Sequence, residues 1–266
     1  MVKIDMKDAY FTVPLSQKSQ KYVRFKWRNQ IYKFLCLCFG IGPAPRLFTK
    51  LLKVLTSVLR RLNIRLVIYL DDILIFGSSK EEIEMARDTT LYLLENLGFI
   101  VNLKKSELNP SQIMEYLGVV IDSLKMTMSL TEKKINSLSK LCTETLNKGS
   151  CSIRELSRVL GKLISTAAAV TPCMLQVRHL QQLQIQGLKT NGSYGSLITL
   201  DKNSKLELMW WIENLHLRIG KPILTSSPDL IIYSDAATSG GWGAFCQGQR
   251  TGGSGHSRKN VSMGIG

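Results

Sequence analysis

The sequence predicts an α+β fold, and three observations carry that expectation. Apolar strand-like runs alternate with amphipathic helical stripes over residues 1–122. Capped helical stripes dominate the region that follows, and a strand–turn–strand pattern returns after residue 229. The 266 residues are 44% hydrophobic, enough to bury the core of one large domain or of two to three small ones.

Taken in order, Val2 to Ile4 form the end of a strand that delivers Asp5. In "YVRFKWRNQIYKFL", Val23, Phe25 and Trp27 alternate with Arg24 and Lys26, which is strand period. Arg28-Asn29 turns this hairpin, leaving one apolar and one basic face. The Gly/Pro loop "FGIGPAPRLF" (39–48) opens a helix. Its inward stripe is Phe48, Leu51, Leu52, Leu55, Leu59 and Leu62, with Lys50, Lys53, Arg60 and Arg61 outside it. Ile64 to Leu70 and Ile73 to Phe76 read as buried strands on either side of Asp71-Asp72. Ser79 with Glu82 is a capping box. The helix it opens turns Ile83, Ala86, Thr90, Leu94 and Leu97 inward, and Gly98 stops it. "FIVNLKKSEL" and "MEYLGVVID" are short strands, so residues 1–122 form a sheet with helices on one face.

The chain then turns helical. Thr131 caps one helix and Gly149 ends it; Ser152 with Glu155 boxes a second; a third covers 172–186. "QGLKTNGSYGS" (186–196) reads as a linker, "KLELMWWIENL" as a helix, and "GKPILTSSPD" as a break. "LIIYSDAATSGGWGAFC" is strand, turn, strand, and the tail beyond it has no usable pattern.

Lys and Arg number 35 against 20 Asp and Glu, a net charge of +15. That excess favours a polyanion, most simply nucleic acid, and its even spread suits a broad groove better than a basic arm. No strongly basic amphipathic segment supports a membrane surface instead. Six cysteines without a CxxC, and three histidines, argue against zinc and against a disulfide framework. "MVKIDMKDAY" has charges where a signal peptide needs an apolar stretch. Asp71 and Asp72 cut the longest apolar run, so no membrane span is expected.

The stretch "IYLDDILIFG" (68–77) sets two carboxylates side by side between apolar strands. At ~4 Å their repulsion is about 1 kcal/mol in water and about 4 kcal/mol at an effective dielectric of 20. Either the pair is the solvated tip of a hairpin, or a cation neutralises it. Asp5 ends another strand. If the strands are neighbours, the carboxylates converge as a two-Mg²⁺ phosphoryl-transfer site requires, with metals ~3.5–4 Å apart.

"KIDMKDAYF", "FGIGPAPRLF", "YLDD", "LGFIVNLKKS" and "EYLGV", in that order, resemble the successive palm motifs of reverse transcriptases. The wording of "KIDMKDAYFTVPL", "SIRELSRVLGKLIS" and "YSDAATSGGWGAF" most resembles DIRS-like retrotransposons, with gypsy-like elements next. The resemblance covers nearly all of residues 2–250. It implies a right-hand polymerase: an antiparallel palm over 1–122 with a partial fingers hairpin at about 11–38, and a helical thumb over 123–186. A connecting region over 187–228 and a truncated ribonuclease H-like start over 229–266 complete it. The implied activity is RNA-directed DNA polymerisation by a retrotransposon polyprotein fragment, with two Mg²⁺ ions, dNTP, and an RNA or DNA template bearing a DNA primer.

Residue by residue, the resemblance makes Asp5 and Asp71 the Mg²⁺ ligands and Asp72 the supporting carboxylate. Tyr10 becomes the steric gate against a ribose 2′-OH, and Phe39 and Gly40 line the nucleotide pocket. Lys105, or else Lys104, protonates the leaving pyrophosphate. Arg24, Lys26 and Trp27 of the hairpin, and Tyr116 and Gly118 of a primer-grip-like turn at 115–119, contact nucleic acid. Asp235 becomes the first ribonuclease H carboxylate and a metal ligand. Two departures stand against full activity. The fingers segment that precedes the first aspartate motif in the family is not in this sequence, and no Asp or Glu follows Asp235. An inactive ribonuclease half is therefore expected. The alternative for the whole chain is an inactive retroelement remnant that at most binds nucleic acid. Cytoplasm or nucleus is the expected location.

Overall fold

Palm strand β1 (Val2–Lys7) is followed by a 3₁₀ turn at Ala9–Thr12 and a single helical turn, α1 (Gln17–Gln20). β2 (Arg24–Trp27) and β3 (Gln30–Lys33) form the basic hairpin, turned by Arg28 and Asn29 with φ of 45° and 63°. Positive φ at both central residues is the I′ arrangement that suits strand twist. All eight strand residues are exposed. Phe25 packs on Tyr32 and Phe34 across the hairpin, with ring centroids 5.5 and 5.2 Å apart. α2 (Ala44–Arg61) leads to β4 (Arg65–Tyr69), β5 (Asp72–Phe76), α3 (Lys80–Asn96) and β6 (Ile100–Val101). β7 (Ile113–Tyr116), β8 (Val119–Asp122) and β9 (Thr127–Leu130) follow as a meander. Next come α4 (Glu132–Lys148), β10 (Ser150–Ser152), α5 (Ile153–Ile164), α6 (Arg178–Asn191), β11 (Leu197–Thr199), α7 (Lys202–Asn214) and β12 (Lys221–Pro222). β13 (Tyr233–Ala236), β14 (Gly241–Cys246) and β15 (Gln249–Ser254) close the chain as an antiparallel sheet. This computed structural model describes residues 1–215, 220–224, 227–237 and 240–254. It divides into two units, Met1–Ile223 and Leu224–Gly266.

The palm sheet has the order β4-β5-β1-β6 and is antiparallel throughout. Val2, Ile4, Ile73 and Ile75 point to one face, where Phe48, Leu52, Leu55 and Leu59 of α2 and Ile83, Ala86 and Leu94 of α3 cover them. The other face is not bare, because Leu74 is buried against Met114 and Tyr116 of β7. The α2 stripe holds except at Leu51 and Leu62, 45% and 56% exposed, and Leu97 after α3 is 58% exposed. β4 is an edge strand, so the expectation of full burial fails at Val67 and Tyr69, which face outward. Ser79 caps α3 through the Glu82 N–H, but the Glu82 carboxylate turns back to the Ser78 N–H at 2.7 Å instead of to Ser79.

A second core is built by α4, α5, α6 and α7. Thr131 caps α4, Gly149 ends it in the left-handed region, and Ser152 with Glu155 forms the expected box on α5. The third helix starts at Arg178 instead of 172, after a 3₁₀ turn at Leu175–Val177. The Glu207 carboxylate, buried on α7, accepts the His179 and Leu180 N–H groups at 2.8 and 3.0 Å, and so fixes that start. The stretch 186–196 is not a free linker. It carries the end of α6 and leads into β11, which pairs with β10. α7 lies in the same core as the preceding helices: Trp211 is fully buried and its indole N–H donates to the Gln176 carbonyl at 2.7 Å. β15, in the tail that showed no pattern, pairs along its whole length with β14. Among the described residues no helix is long and apolar enough to cross a membrane.

Candidate active site

The β1–β5 register sets Asp5 directly opposite Asp72. Both backbone groups of Asp5 bond away from β5: its N–H donates to Ser106 Oγ and its carbonyl accepts from Asn102. Asp5 and Asp72 are therefore a non-hydrogen-bonded pair, the closer of the two kinds, with Cα atoms ~4.5 Å apart. Their neighbours Ile4 and Ile73 point into the helix-backed core. By strand alternation the two carboxylates share the opposite face with Lys3 and Leu74.

Asp71 sits in the two-residue turn from β4 to β5, opposite the closing pair Tyr69↔Asp72. Its carbonyl accepts the Met6 N–H at 2.9 Å, which ties the turn to β1. The turn requires positive φ at Leu70 (55°). A non-glycine residue there costs ~1–3 kcal/mol, and the Leu70 side chain is held by packing on the palm core.

A cleft of about 500 Å³ is lined by Asp5, Asp71, Tyr10, Phe39, Asn102 and Lys105, with Lys7 and Asp8 at its side. Burial first, then the charges of Asp71 and Asp5, push the Asp72 carboxyl above its usual range, and Lys3 and Lys105 partly offset this. Burial and the nearby Asp71 likewise raise the Tyr10 phenol. Tyr10 is buried between Phe39 and Phe48, with both ring centroids 5.0 Å away, so its position is fixed by packing. Phe39 is largely exposed, and Gly40 beside it has φ +90°, a conformation L side chains rarely adopt. Of the two candidate lysines, Lys105 lines the cleft and acts on Asp72, whereas Lys104 does neither.

Other expected site residues lie elsewhere. Arg24, Lys26 and Trp27 are exposed on the β2–β3 hairpin and do not line the cleft. Tyr116, expected at the primer-grip-like turn, ends β7. It is buried under β5, its hydroxyl donates to the Asp72 carbonyl at 3.2 Å, and burial with the Asp72 charge pushes its phenol up to about 12. The β7–β8 strands turn through Leu117 and Gly118 with φ of 51° and 74°. Beside Gly118 is a pocket of about 300 Å³ bearing Lys133, Lys134 and Lys162. The sequence reading missed these three lysines, which come from two helices and converge only in the fold. Asn102 and Ser106 were also missed, although both lie inside the quoted "LGFIVNLKKS" stretch. Asp235, in the second unit, is exposed opposite Gly243 on β14, with its Oδ1 accepting the Ala236 N–H at 2.8 Å.

Among the described residues no three His, Cys, Asp or Glu side chains close around one point as a metal cage. The donor set still fits a hard cation. All donors are carboxylate oxygens, and burial first, then the neighbouring Asp71 and Asp5 charges, raise the Asp72 carboxyl. Mg²⁺ in particular uses one or two carboxylates and completes its shell with water and substrate phosphates.

A four-stranded antiparallel palm backed by two helices, joined to a helical second core, is a polymerase-like fold. Residues 1–121 match the family described as reverse transcriptase (RNA-dependent DNA polymerase). The chain is 28% identical over 243 residues to a polyprotein of cassava vein mosaic virus, covering 89% of this chain and 34% of that protein. It is also 28% identical over 190 residues to the Gag-Pro-Pol polyprotein of human T-cell leukemia virus 2, covering 68% of this chain and 12% of that one. The foamy viral protease-reverse transcriptase, solved in complex with an RNA/DNA hybrid, superimposes with a TM-score of 0.64 at 18% identity, over 95% of this chain and 33% of that one. The chain thus spans about a third or less of the length of these relatives. Residues 1–121 are thus similar to the reverse transcriptase family, which is generally metal-dependent, and the chain beyond them is similar to viral polyproteins.

Proposed function

We propose that this chain is the polymerase portion of a reverse transcriptase from a DIRS-like or, next, a gypsy-like element, and that its cleft joins a deoxynucleotide to a primer 3′-hydroxyl. One observation carries the reading: Asp5 and the Asp71 turn line one cleft with Lys105 and Tyr10, and Asp72 stands opposite Asp5 on the neighbouring strand without lining it. In the reaction the primer 3′-oxygen attacks the α-phosphorus of the dNTP and releases its proton to water. The bond from that phosphorus to the pyrophosphate oxygen breaks, and Lys105 donates a proton to the leaving group. Asp5 and Asp71 are the residues that would hold Mg²⁺, with Asp72 beside them. A bound ion would supply charge neutralisation at phosphate oxygens. The protein itself supplies positioning and fixed charge.

Tyr10, wedged between Phe39 and Phe48, stands where added bulk at the sugar 2′ position would collide. The basic β2–β3 hairpin and the three lysines beside Gly118 support a template–primer duplex as partner, through backbone phosphates. The palm then comprises residues 1–122, and α4 to α7 act together as the thumb. The second unit we read as the start of a ribonuclease H-like sheet with Asp235 as its first carboxylate. Cytoplasm or nucleus is the setting this activity needs.

A second reading has support of its own. The net charge of +15 suits equally a remnant that binds nucleic acid without catalysis. Primer extension on poly-rA/oligo-dT with Mg²⁺ and dTTP separates the two. The polymerase reading expects extension by the chain and at least a ~100-fold loss in Asp71→Asn. Equal extension by both sinks the metal assignment. Duplex binding without extension leaves the remnant.

A further inference from the structure

The loop that carries Lys105 is fastened to the strand that carries Asp5 by a side chain inserted into the ladder. β6 pairs with β1 at Lys7↔Ile100 and Met6↔Val101. Continued in register, residue 102 would pair with Asp5 and residue 104 would face Lys3. Glu107 faces Lys3 instead, exchanging both backbone bonds with it at 3.0 and 2.8 Å. Three residues (107 − 104) are therefore looped out of the pairing.

A regular Asp5–Asn102 pair would exchange two backbone bonds. The first is present: the Asn102 N–H donates to the Asp5 carbonyl at 2.8 Å. The second is interrupted. The Asp5 N–H donates to Ser106 Oγ at 3.0 Å, and that hydroxyl donates to the Asn102 carbonyl at 2.9 Å. The same carbonyl accepts the Lys105 N–H at 3.1 Å and the Ser106 N–H at 2.9 Å. One hydroxyl thus links the Asp5 backbone to the carbonyl around which the Lys105 turn is wound. Asp5 and Lys105 line the same cleft.

We propose that Ser106 is a positioning residue: its hydroxyl sets the separation of Asp5 from Lys105 across the cleft. It touches neither substrate nor metal. Its effect on chemistry rests on the polymerase reading above, whereas its effect on the loop does not.

The test compares the full chain with Ser106→Ala and Ser106→Thr, with two readouts. In primer extension, Ser106→Ala is expected to lower kcat by about 10–100-fold, the scale of a displacement near 1 Å, with the dTTP KM within about threefold. Ser106→Thr keeps the hydroxyl and restores most of the rate. In a Lys105→Ala background, Ser106→Ala adds little, because the two act as one unit. An unchanged kcat in Ser106→Ala, or a full additional loss in that background, overturns the proposal. In NMR, Ser106→Ala is expected to speed Asp5 amide exchange at least tenfold. It should also lower the order parameters of residues 102–105 from about 0.85 toward 0.6. Unchanged exchange and order refute the positioning role whatever the rates show. If the parent chain extends no primer, the polymerase reading fails, and exchange and relaxation alone decide the role of Ser106.

Discussion

Replacing Asp72 with Asn should make the protein more stable at neutral pH. Asp72 is half-buried, faces Asp5 across the β1–β5 ladder and adjoins Asp71, and its carboxyl is raised by burial and by those two charges. Two unit charges ~5 Å apart at an effective dielectric of 20 repel by about 3 kcal/mol. Asp72 keeps solvent contact, and Lys3 and Lys105 lie near, so the figure must be discounted toward the ~0–1 kcal/mol typical of screened pairs. We expect Asp72→Asn to gain about 1 kcal/mol at pH 7 in a chelator. The sign follows from linkage. A carboxyl raised in the folded state binds its proton more readily there than in the unfolded chain. Stability is therefore greatest below the unfolded value and falls as pH rises through the folded one. The gain of the variant should appear above the ordinary Asp range and vanish at about pH 3. Urea unfolding from pH 3 to 8, with and without Mg²⁺, measures it. Mg²⁺ should narrow the gap by stabilising the parent more than the variant. A variant less stable than the parent at pH 7, or a gap that does not change with pH, would refute the reasoning.

Three further outcomes follow from other parts of the structure. Glu207→Ala removes a buried carboxylate that accepts two helix-start N–H groups, and should cost about 3–5 kcal/mol in urea unfolding; a cost under about 1 kcal/mol would show that water replaces it. Tyr10→Ala should raise ribonucleotide incorporation relative to deoxynucleotide by at least about tenfold in single-nucleotide extension, and unchanged discrimination would remove Tyr10 from the gate. Lys134→Gln with Lys162→Gln should lower the slope of log K against log salt for duplex binding by about 1.5–2, close to one phosphate contact per lysine; an unchanged slope would place those lysines off the duplex.

Much of this was legible because local chemistry dictated it. Ser152 and Glu155 close their box as written, and Thr131 and Gly149 bound α4. Asp5, which lies inside β1 and does not end it, meets Asp72 at the start of β5, and alternation sets both on the face opposite Ile4 and Ile73. What stayed hidden depends on partners distant in sequence. The start of α6 is set by Glu207, nearly thirty residues later, which no local periodicity encodes. Tyr116 sits in the hairpin that resembles a primer grip, and its burial under β5 depends on β7 packing on a strand some forty residues earlier. Lys105 was already preferred to Lys104 in the sequence, and what stayed hidden was the looped-out turn at 102–106 that sets it in the cleft. β15 escaped notice because Gly252 and Gly253 carry little strand signal, and the ladder with β14 supplies what they lack.

The order of synthesis gives the β1 ladder a further meaning. Val2, Ile4 and Met6 precede every partner they bury against, and Asp5 acquires its neighbours only when residue 72 and then residues 102–107 have been made. At ~5–20 residues per second, that is a wait of roughly 5–20 s on the ribosome. Until residues 72–76 have been made, Val2 and Ile4 lack the strand they pair with. Asp5, Asp71 and Lys105 line one cleft only once the Lys105 loop has been made.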